Sequence, residues 1–182
     1  MTASHPDRGR PARAALLARL GLLSACAVAV YVFEGLMPMP IPWARLGLSN
    51  VVIVVSLFGY GLGDALIVNL VRIVAGNLLL GMLFSPAFVF SLVGSVSALA
   101  AMAAARWKLV PPLSVVGTSL IGAVTNNVVQ VVLFTAMFSA SGAAPSLLGG
   151  FILLGVGVGL ATGVIAARIL DKVALATPRS FN

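Results

Sequence analysis

The sequence predicts an all-α membrane protein, built as a bundle of six transmembrane helices with little mass outside the bilayer. Of its 182 residues, 60% are hydrophobic and only 8% are charged, whereas soluble domains are about 45–50% apolar and about 25% charged. A soluble chain of this size could not bury so much apolar surface, because a large part of it would still face water. Lipid is therefore the expected solvent, and the length allows one compact bundle.

Six apolar segments are separated by proline, glycine or charge, and each is close to the roughly 20 residues that a spanning helix needs. We expect spans at 15–37, 46–61, 64–84, 86–105, 113–140 and 147–170. The second is short and the fifth is long, which predicts tilt or an unwound end. Residues 14–172 thus form one transmembrane domain, between a disordered basic leader (1–13) and a cytoplasmic tail (173–182).

The charges indicate how the chain is oriented. With the N-terminus inside, nine Lys and Arg lie on the cytoplasmic side, Arg45 lies outside and Arg72 lies within a span. Cytoplasmic loops carry such an excess of cations, so we expect a multi-pass plasma-membrane protein with both termini cytoplasmic. The net charge of +7 is explained by these flanking cations, and nucleic-acid binding is not expected.

Small residues recur at every fourth position in the first and last spans. Such rows let two helix backbones approach closely, which favours association in lipid. They could serve packing within the bundle, or they could face a membrane coupling subunit, and we predict partner-helix packing. The residues concerned are Gly21, Ala25 and Ala29 in the first span, and Gly155, Gly159 and Gly163 in the last.

Arg72 lies in the middle of the third span. A charge at the bilayer centre costs about 2.5–3.5 kcal/mol on insertion scales and normally faces a cavity or a partner. Asn69 and Asn77 share one arc of the helix with Arg72. The guanidinium could bind a carboxylate or phosphate of a substrate, or it could form a structural ion pair with Glu34 or Asp64.

The fifth span carries three carboxamides on or beside one helix face. Asn126 and Gln130 are four residues apart, and Asn127 is adjacent. Their paired donors and acceptors could hold a polar ligand or could join helices, and we predict substrate binding. The outer mouth of the same substrate site is predicted to comprise Glu34, Arg45 and Asn50.

Several functional classes are disfavoured by what the sequence lacks. It contains no G-x-x-x-x-G-K-[ST] loop for ATP hydrolysis, and its four acidic residues are scattered, so none cluster to hold magnesium on a diphosphate. Its one histidine, His5, lies in the leader, so neither a Ser-His-Asp triad nor a metal site is expected. We therefore predict that the chain is not an enzyme and uses no cofactor.

Three ordered motifs carry a family resemblance: PWARLGLSN at 42–50, RIVAGNLLLG at 72–81 followed by FSPAF at 84–88, and GAVTNNVVQ at 122–130. Over residues 34–130 the chain resembles the Gx transporter family, also called heptaprenyl diphosphate synthase component I. That family is similar to the substrate-binding S components of energy-coupling-factor transporters. Two positions depart from its pattern, since the family usually has histidine at Asn126 and lysine at Arg45.

The resemblance implies six helices around an outward-open substrate cavity, with a membrane coupling subunit and ATPases as partners. The synthase name implies instead a soluble catalytic partner. We predict a substrate-binding membrane subunit for uptake of a small polar or anionic compound, which obtains its energy from a partner. The alternatives are a noncatalytic membrane component of heptaprenyl diphosphate synthesis and a structural membrane subunit.

Overall fold

A computed structural model describes residues 9–37, 47–108, 113–138 and 144–176. Within these ranges the chain is helical and contains no strand. Five of the helices are long and apolar enough to cross a membrane, which confirms a multi-pass, all-α membrane protein. The helices are α1 (Gly9–Leu36), α2 (Asn50–Gly59), α3 (Leu62–Leu79), α4 (Pro86–Lys108), α5 (Val115–Phe138) and α6 (Ala144–Ala176).

Glycine and proline set several of the helix boundaries. Gly47 and Gly61 precede α2 and α3 with φ angles of 74° and 107°, a region that favours glycine because it has no Cβ. Pro86 is the first residue of α4, where its missing N–H would have no helical partner. The turns between α2, α3 and α4 are therefore encoded locally.

The first and last helices extend beyond the predicted spans. α1 begins at Gly9, inside the predicted leader, and α6 continues to Ala176, inside the predicted tail. Hydropathy identifies only the part of a helix that is apolar enough to lie in the hydrocarbon core of the membrane. Arg and Lys are good helix formers, so a helix can continue into a basic flanking segment.

α2 departs most from the prediction of a sixth span at 46–61. It has 10 residues and is about 15 Å long, half the thickness of a hydrocarbon core of about 30 Å. Instead of lying at the periphery, it packs against α1, α3, α5 and α6. α2 is thus a short, largely buried helix that packs against four of the five longer helices.

The longer helices follow one another around the bundle in the order α1, α3, α4, α5 and α6. α2 contributes to the apolar core, in which Leu57 packs with Ala27, Val68, Leu99 and Ala166. Large hydrophobic side chains also cover the outer surface. They include Leu78, Val132 and Leu153, as expected for helices that face lipid.

The glycine row of α6 packs within the bundle. A Cβ on Gly159 would lie 2.8 Å from the Cα of Leu120, and a Cβ on Gly163 would lie 2.8 Å from the Cα of Val116, both in α5. Gly155 is similarly close to α5, with a Cβ position 3.3 Å from Val124 Cα. The expectation that this row faces a partner subunit is therefore corrected, since α5 of the same chain already fills the space.

The corresponding row on α1 faces outward. A Cβ added to Gly21 would have no atom within 4 Å, and Ala25 and Ala29 are exposed. Together with Val71 and Leu79 of α3 they line an open apolar groove of about 630 Å³. This row remains accessible from outside the chain, and a partner helix there stays a prediction.

Candidate functional site

A small polar cavity lies where α1, α3, α4, α5 and the N-terminus of α2 meet. Its volume of about 30 Å³ is enough for one or two water molecules. Arg72 is the eleventh residue of α3, about 15 Å along the helix from its start. The lining residues are Tyr31, Glu34, Gly47, Ser49, Asn50, Arg72, Ser91, Ser95, Asn126 and Gln130.

Arg72 is held by neutral acceptors on four sides. Its Nη1 donates to Ser49 Oγ at 2.8 Å and to Asn50 Oδ1 at 3.0 Å. Its Nη2 donates to Asn69 Oδ1 at 2.8 Å and to Ser95 Oγ. The residue is only 3% exposed, and four bonds to the two terminal nitrogens fix the plane of the guanidinium.

Glu34 provides the opposite charge and is 2% exposed. Its carboxylate accepts the backbone N–H groups of Leu48 and Ser49 and the Ser49 hydroxyl, the latter at 2.9 Å. These groups lie at the N-terminus of α2, where anions are stabilised because the free N–H groups carry partial positive charge. The Ser49 hydroxyl also accepts from Arg72, so one serine connects the two buried charges.

Asp64 lies in a different polar layer. It occupies the first turn of α3 and forms an ion pair with Arg19 of α1, whose guanidinium lies 4.1 Å from the centroid of the Tyr60 ring. Nearby, Arg106 donates to the carbonyl oxygen of Leu57. Asp64 is therefore the partner of Arg19 rather than of Arg72, and this layer ties α1 to α3 and α4 to α2.

Tyr31 forms an aromatic wall of the cavity. Its hydroxyl donates to Ser91 Oγ at 2.9 Å and accepts from Asn77 Nδ2 at 2.7 Å. The ring centroid lies 5.6 Å from the guanidinium carbon of Arg72, within the range of a cation–π contact. Asn77 also donates to the Ile73 carbonyl of its own helix. It is connected to the cavity through its bond to Tyr31.

The carboxamides of α5 divide between two faces. Asn126 and Gln130 line the cavity, and both lie against Gly94 of α4, where a Cβ would meet Asn126 Oδ1 at 2.7 Å. Asn127 instead donates to the carbonyl oxygen of Phe151 in α6 at 2.7 Å. It therefore joins α5 to α6, and it borders only a neighbouring void of about 10 Å³.

The structure thus brings together five of the nine residues predicted to bind substrate. Asn69 and Asn77 touch this group through Arg72 and Tyr31, and Asn127 points to α6. Arg45 lies outside the described residues. The five that share the cavity are Glu34, Asn50, Arg72, Asn126 and Gln130.

Sequence reasoning did not identify four of the polar side chains in the cavity. Ser91 and Ser95 are one turn apart on α4, a spacing that could have marked a polar face. Ser49 was visible only as part of the 42–50 motif. Tyr31 lies one turn before Glu34, and this pairing of a tyrosine with an intramembrane carboxylate was the available signal.

These features define a multi-pass α-helical membrane protein whose bundle encloses a charged, hydrogen-bonded cavity. The family model described as heptaprenyl diphosphate synthase component I matches residues 23–169. The chain belongs to that family, and the matched region contains every residue that lines the cavity. No curated protein and no solved structure matches the chain.

Proposed function

We propose that this protein is the substrate-binding membrane subunit of a transporter for uptake of a small polar or anionic compound. The observation that carries the proposal is the convergence of Glu34, Arg72, Asn126 and Gln130, from three different helices, on one cavity. Polar and ionisable residues inside a membrane bundle are expensive and commonly mark substrate pathways.

The chemistry of the cavity favours a ligand rich in hydrogen-bonding groups. Arg72 and Glu34 supply one positive and one negative charge, and both are buried. Around them lie three carboxamides and several hydroxyls, which can donate as well as accept. Such a lining recognises polar groups by position, and apolar compounds would leave these groups unpaired at a cost of about 1–3 kcal/mol each.

A partner is proposed as the energy source, because the sequence lacks an ATP-binding loop of the P-loop type. The outward-facing groove along Gly21, Ala25 and Ala29 supports a membrane coupling subunit on α1. Together with the resemblance to energy-coupling-factor S components, it favours ATPases as the further partners. In this proposal the protein lies in the plasma membrane with both termini cytoplasmic.

Native mass spectrometry of the gently extracted protein tests this function. We expect a small molecule to be retained by the wild type and by Val132→Ala, a control on the lipid-facing side of α5. Gln130→Ala should lose that molecule while keeping its thermal stability within about 1 kcal/mol. Equal retention by Gln130→Ala and the control would contradict the proposal.

The alternative is a noncatalytic membrane component of heptaprenyl diphosphate synthesis, and the family's name favours it. In the described part of the chain, His, Cys, Asp and Glu form no group of three or more. Diphosphate chemistry would therefore be supplied by a soluble partner in this alternative. Co-purification with a prenyl synthase instead of ATPases would support it, and co-purification with neither would favour a structural subunit.

A further inference from the structure

The backbone before α2 forms a complete binding site for a carboxylate. Gly47 has a positive φ, and the N–H groups of Leu48 and Ser49 both point to the carboxylate of Glu34. Successive N–H groups in such a turn create a concave anion site. The Ser49 hydroxyl supplies a third donor, and Arg72 lies directly behind that hydroxyl.

The occupant of this carboxylate site is part of the chain itself. Glu34 is the third residue from the end of α1, so its position depends on the last helical turn. Helix ends fray more readily than helix interiors. By contrast, Arg72, Ser95 and Gln130 lie well inside α3, α4 and α5, where the helix continues on both sides of each residue.

Gln130 independently indicates that a ligand belongs in the cavity. Its side chain is 5% exposed and lines the cavity. Its carboxamide makes no hydrogen bond to any of the described residues. Carboxamides have both donor and acceptor capacity, so this side chain can bind a polar group that enters the cavity beside the carboxylate site.

The size of the cavity requires that something moves when an organic ligand binds. A volume of about 30 Å³ is far below the roughly 300–1,000 Å³ of typical ligand pockets. Displacing the Glu34 side chain enlarges the cavity next to Gln130 and frees three hydrogen-bond donors at once. It also removes one negative charge from the vicinity of Arg72.

We infer that the ligand carries a carboxylate that replaces that of Glu34 on the Leu48 and Ser49 N–H groups, with its neighbouring polar group on Gln130. The exchange leaves the charge of the cavity unchanged, because one carboxylate takes the place of another. Glu34 thus occupies the site as an internal competitor when no ligand is bound. This inference rests on the proposed function and specifies the head group of its substrate.

The experiment replaces Glu34 and supplies the missing carboxylate as formate, which is small enough to fill the vacated position. Thermal unfolding of Glu34→Ala is followed in formate and in chloride at equal ionic strength. We expect formate at about ten times its Kd to raise the Tm of Glu34→Ala by about 3–6 °C. The wild type should show no formate-specific change, because its own carboxylate fills the site.

Glu34→Gln is the matched control. The glutamine has nearly the same volume as glutamate and keeps the position filled while removing the charge, so formate should not stabilise it. In Glu34→Ala, the further change Ser49→Ala should raise the Kd for formate about tenfold, because it removes one donor to the carboxylate. If Glu34→Ala does not survive extraction in chloride, the yield of monodisperse protein in formate against chloride is the readout.

The inference is overturned if formate has no specific effect on Glu34→Ala, or if it stabilises Glu34→Gln and the wild type as much as Glu34→Ala. These results do not depend on transport or on a retained ligand. A carboxylate site confirmed by formate, together with unchanged ligand retention in Gln130→Ala, would refute the proposed function alone. Loss of ligand in Gln130→Ala without any formate effect would support the proposed function and refute a carboxylate as the head group of the ligand.

Discussion

The ring of Tyr31 lies directly on the backbone of Gly76, where a Cβ would be 2.2 Å from Tyr31 Cδ1. No side chain can occupy that space, so Gly76 fixes how close α1 comes to α3. The same approach brings the tyrosine hydroxyl to Ser91 and Asn77. One glycine therefore determines where the aromatic wall of the cavity stands.

Replacing Gly76 with alanine should destabilise the bundle by about 1–3 kcal/mol, because the added methyl group overpacks a filled site. The displaced Tyr31 ring would also lose its bonds to Ser91 and Asn77. Thermal unfolding of the purified protein measures the effect. Gly63→Ala, on the same helix with no atom within 4 Å of the added Cβ, should cause no loss, and equal Tm values for the two variants would contradict this explanation.

Hydropathy located the helices in this chain but not the role of α2. An apolar run shows only that a segment can avoid water, so 46–61 resembled one more span. The start of the helix at Asn50 depends on Gly47 and on the Glu34 carboxylate, which lies 16 residues earlier in the sequence. Contacts between distant segments of this kind are not visible in a local pattern.

Sequence could identify those residues of the polar cavity whose side chains are costly to place in a membrane. Arg72 and Gln130 stood out because charge and carboxamides are costly in a membrane. Ser91 and Ser95 did not, because hydroxyls are tolerated in spanning helices and can bond to their own backbone. Asn126 and Asn127 are adjacent, and sequence alone could not determine which one faces the cavity.

These two asparagines should respond differently to substitution. Asn127→Ala removes a buried bond to the Phe151 carbonyl and should lower stability by about 0.6–2 kcal/mol. Asn126→Ala removes a cavity-lining amide whose bond to Asn127 is long, at 3.4 Å, so it should leave stability nearly unchanged and weaken ligand retention. Unfolding and native mass spectrometry on both variants check this, and a reversal of the two effects would contradict the assignment.

The buried charges Glu34 and Arg72 should be energetically coupled through Ser49. Arg72→Met should cost about 3–5 kcal/mol, because it leaves a buried carboxylate without its counter-charge. In the double variant Arg72→Met with Glu34→Gln, the loss should be smaller than the sum by about 0.5–3 kcal/mol. Denaturant unfolding of the two single variants and the double variant measures this coupling, and strict additivity would show that the two charges act independently.

The ion pair between Arg19 and Asp64 should stabilise the contact between α1 and α3. The pair is partly buried, with side chains 35% and 17% exposed, so we expect Asp64→Asn to lower stability by about 0.5–1 kcal/mol, less at high salt. Arg19→Asp alone should also lower stability. The double variant Arg19→Asp with Asp64→Arg, which exchanges the two charges, should recover part of the stability that Arg19→Asp loses. The recovery is measured as a difference in Tm, and its absence would mean that the pair contributes little.

The two rows of small residues on α1 and α6 looked alike in sequence, yet only the α6 row is filled by a neighbouring helix. The four-residue spacing identifies a face that can accept a close backbone, but it does not specify which helix will provide it. For α6 that helix is α5, with Gly159 next to the Cα of Leu120. For α1 the groove is open.

Alanine at Gly159 should therefore separate α5 from α6. Its Cβ would meet a backbone atom of Leu120 at 2.8 Å, and backbone cannot rotate away as a side chain can, so we expect a loss of about 1–3 kcal/mol. Gly157→Ala is the matched control two residues earlier, because its Cβ would enter open space and alanine has the higher helix propensity. Thermal unfolding should therefore rank Gly159→Ala below the wild type and Gly157→Ala at or above it. If Gly159→Ala were as stable as Gly157→Ala, the close packing of α5 on α6 would not be what holds this side of the bundle.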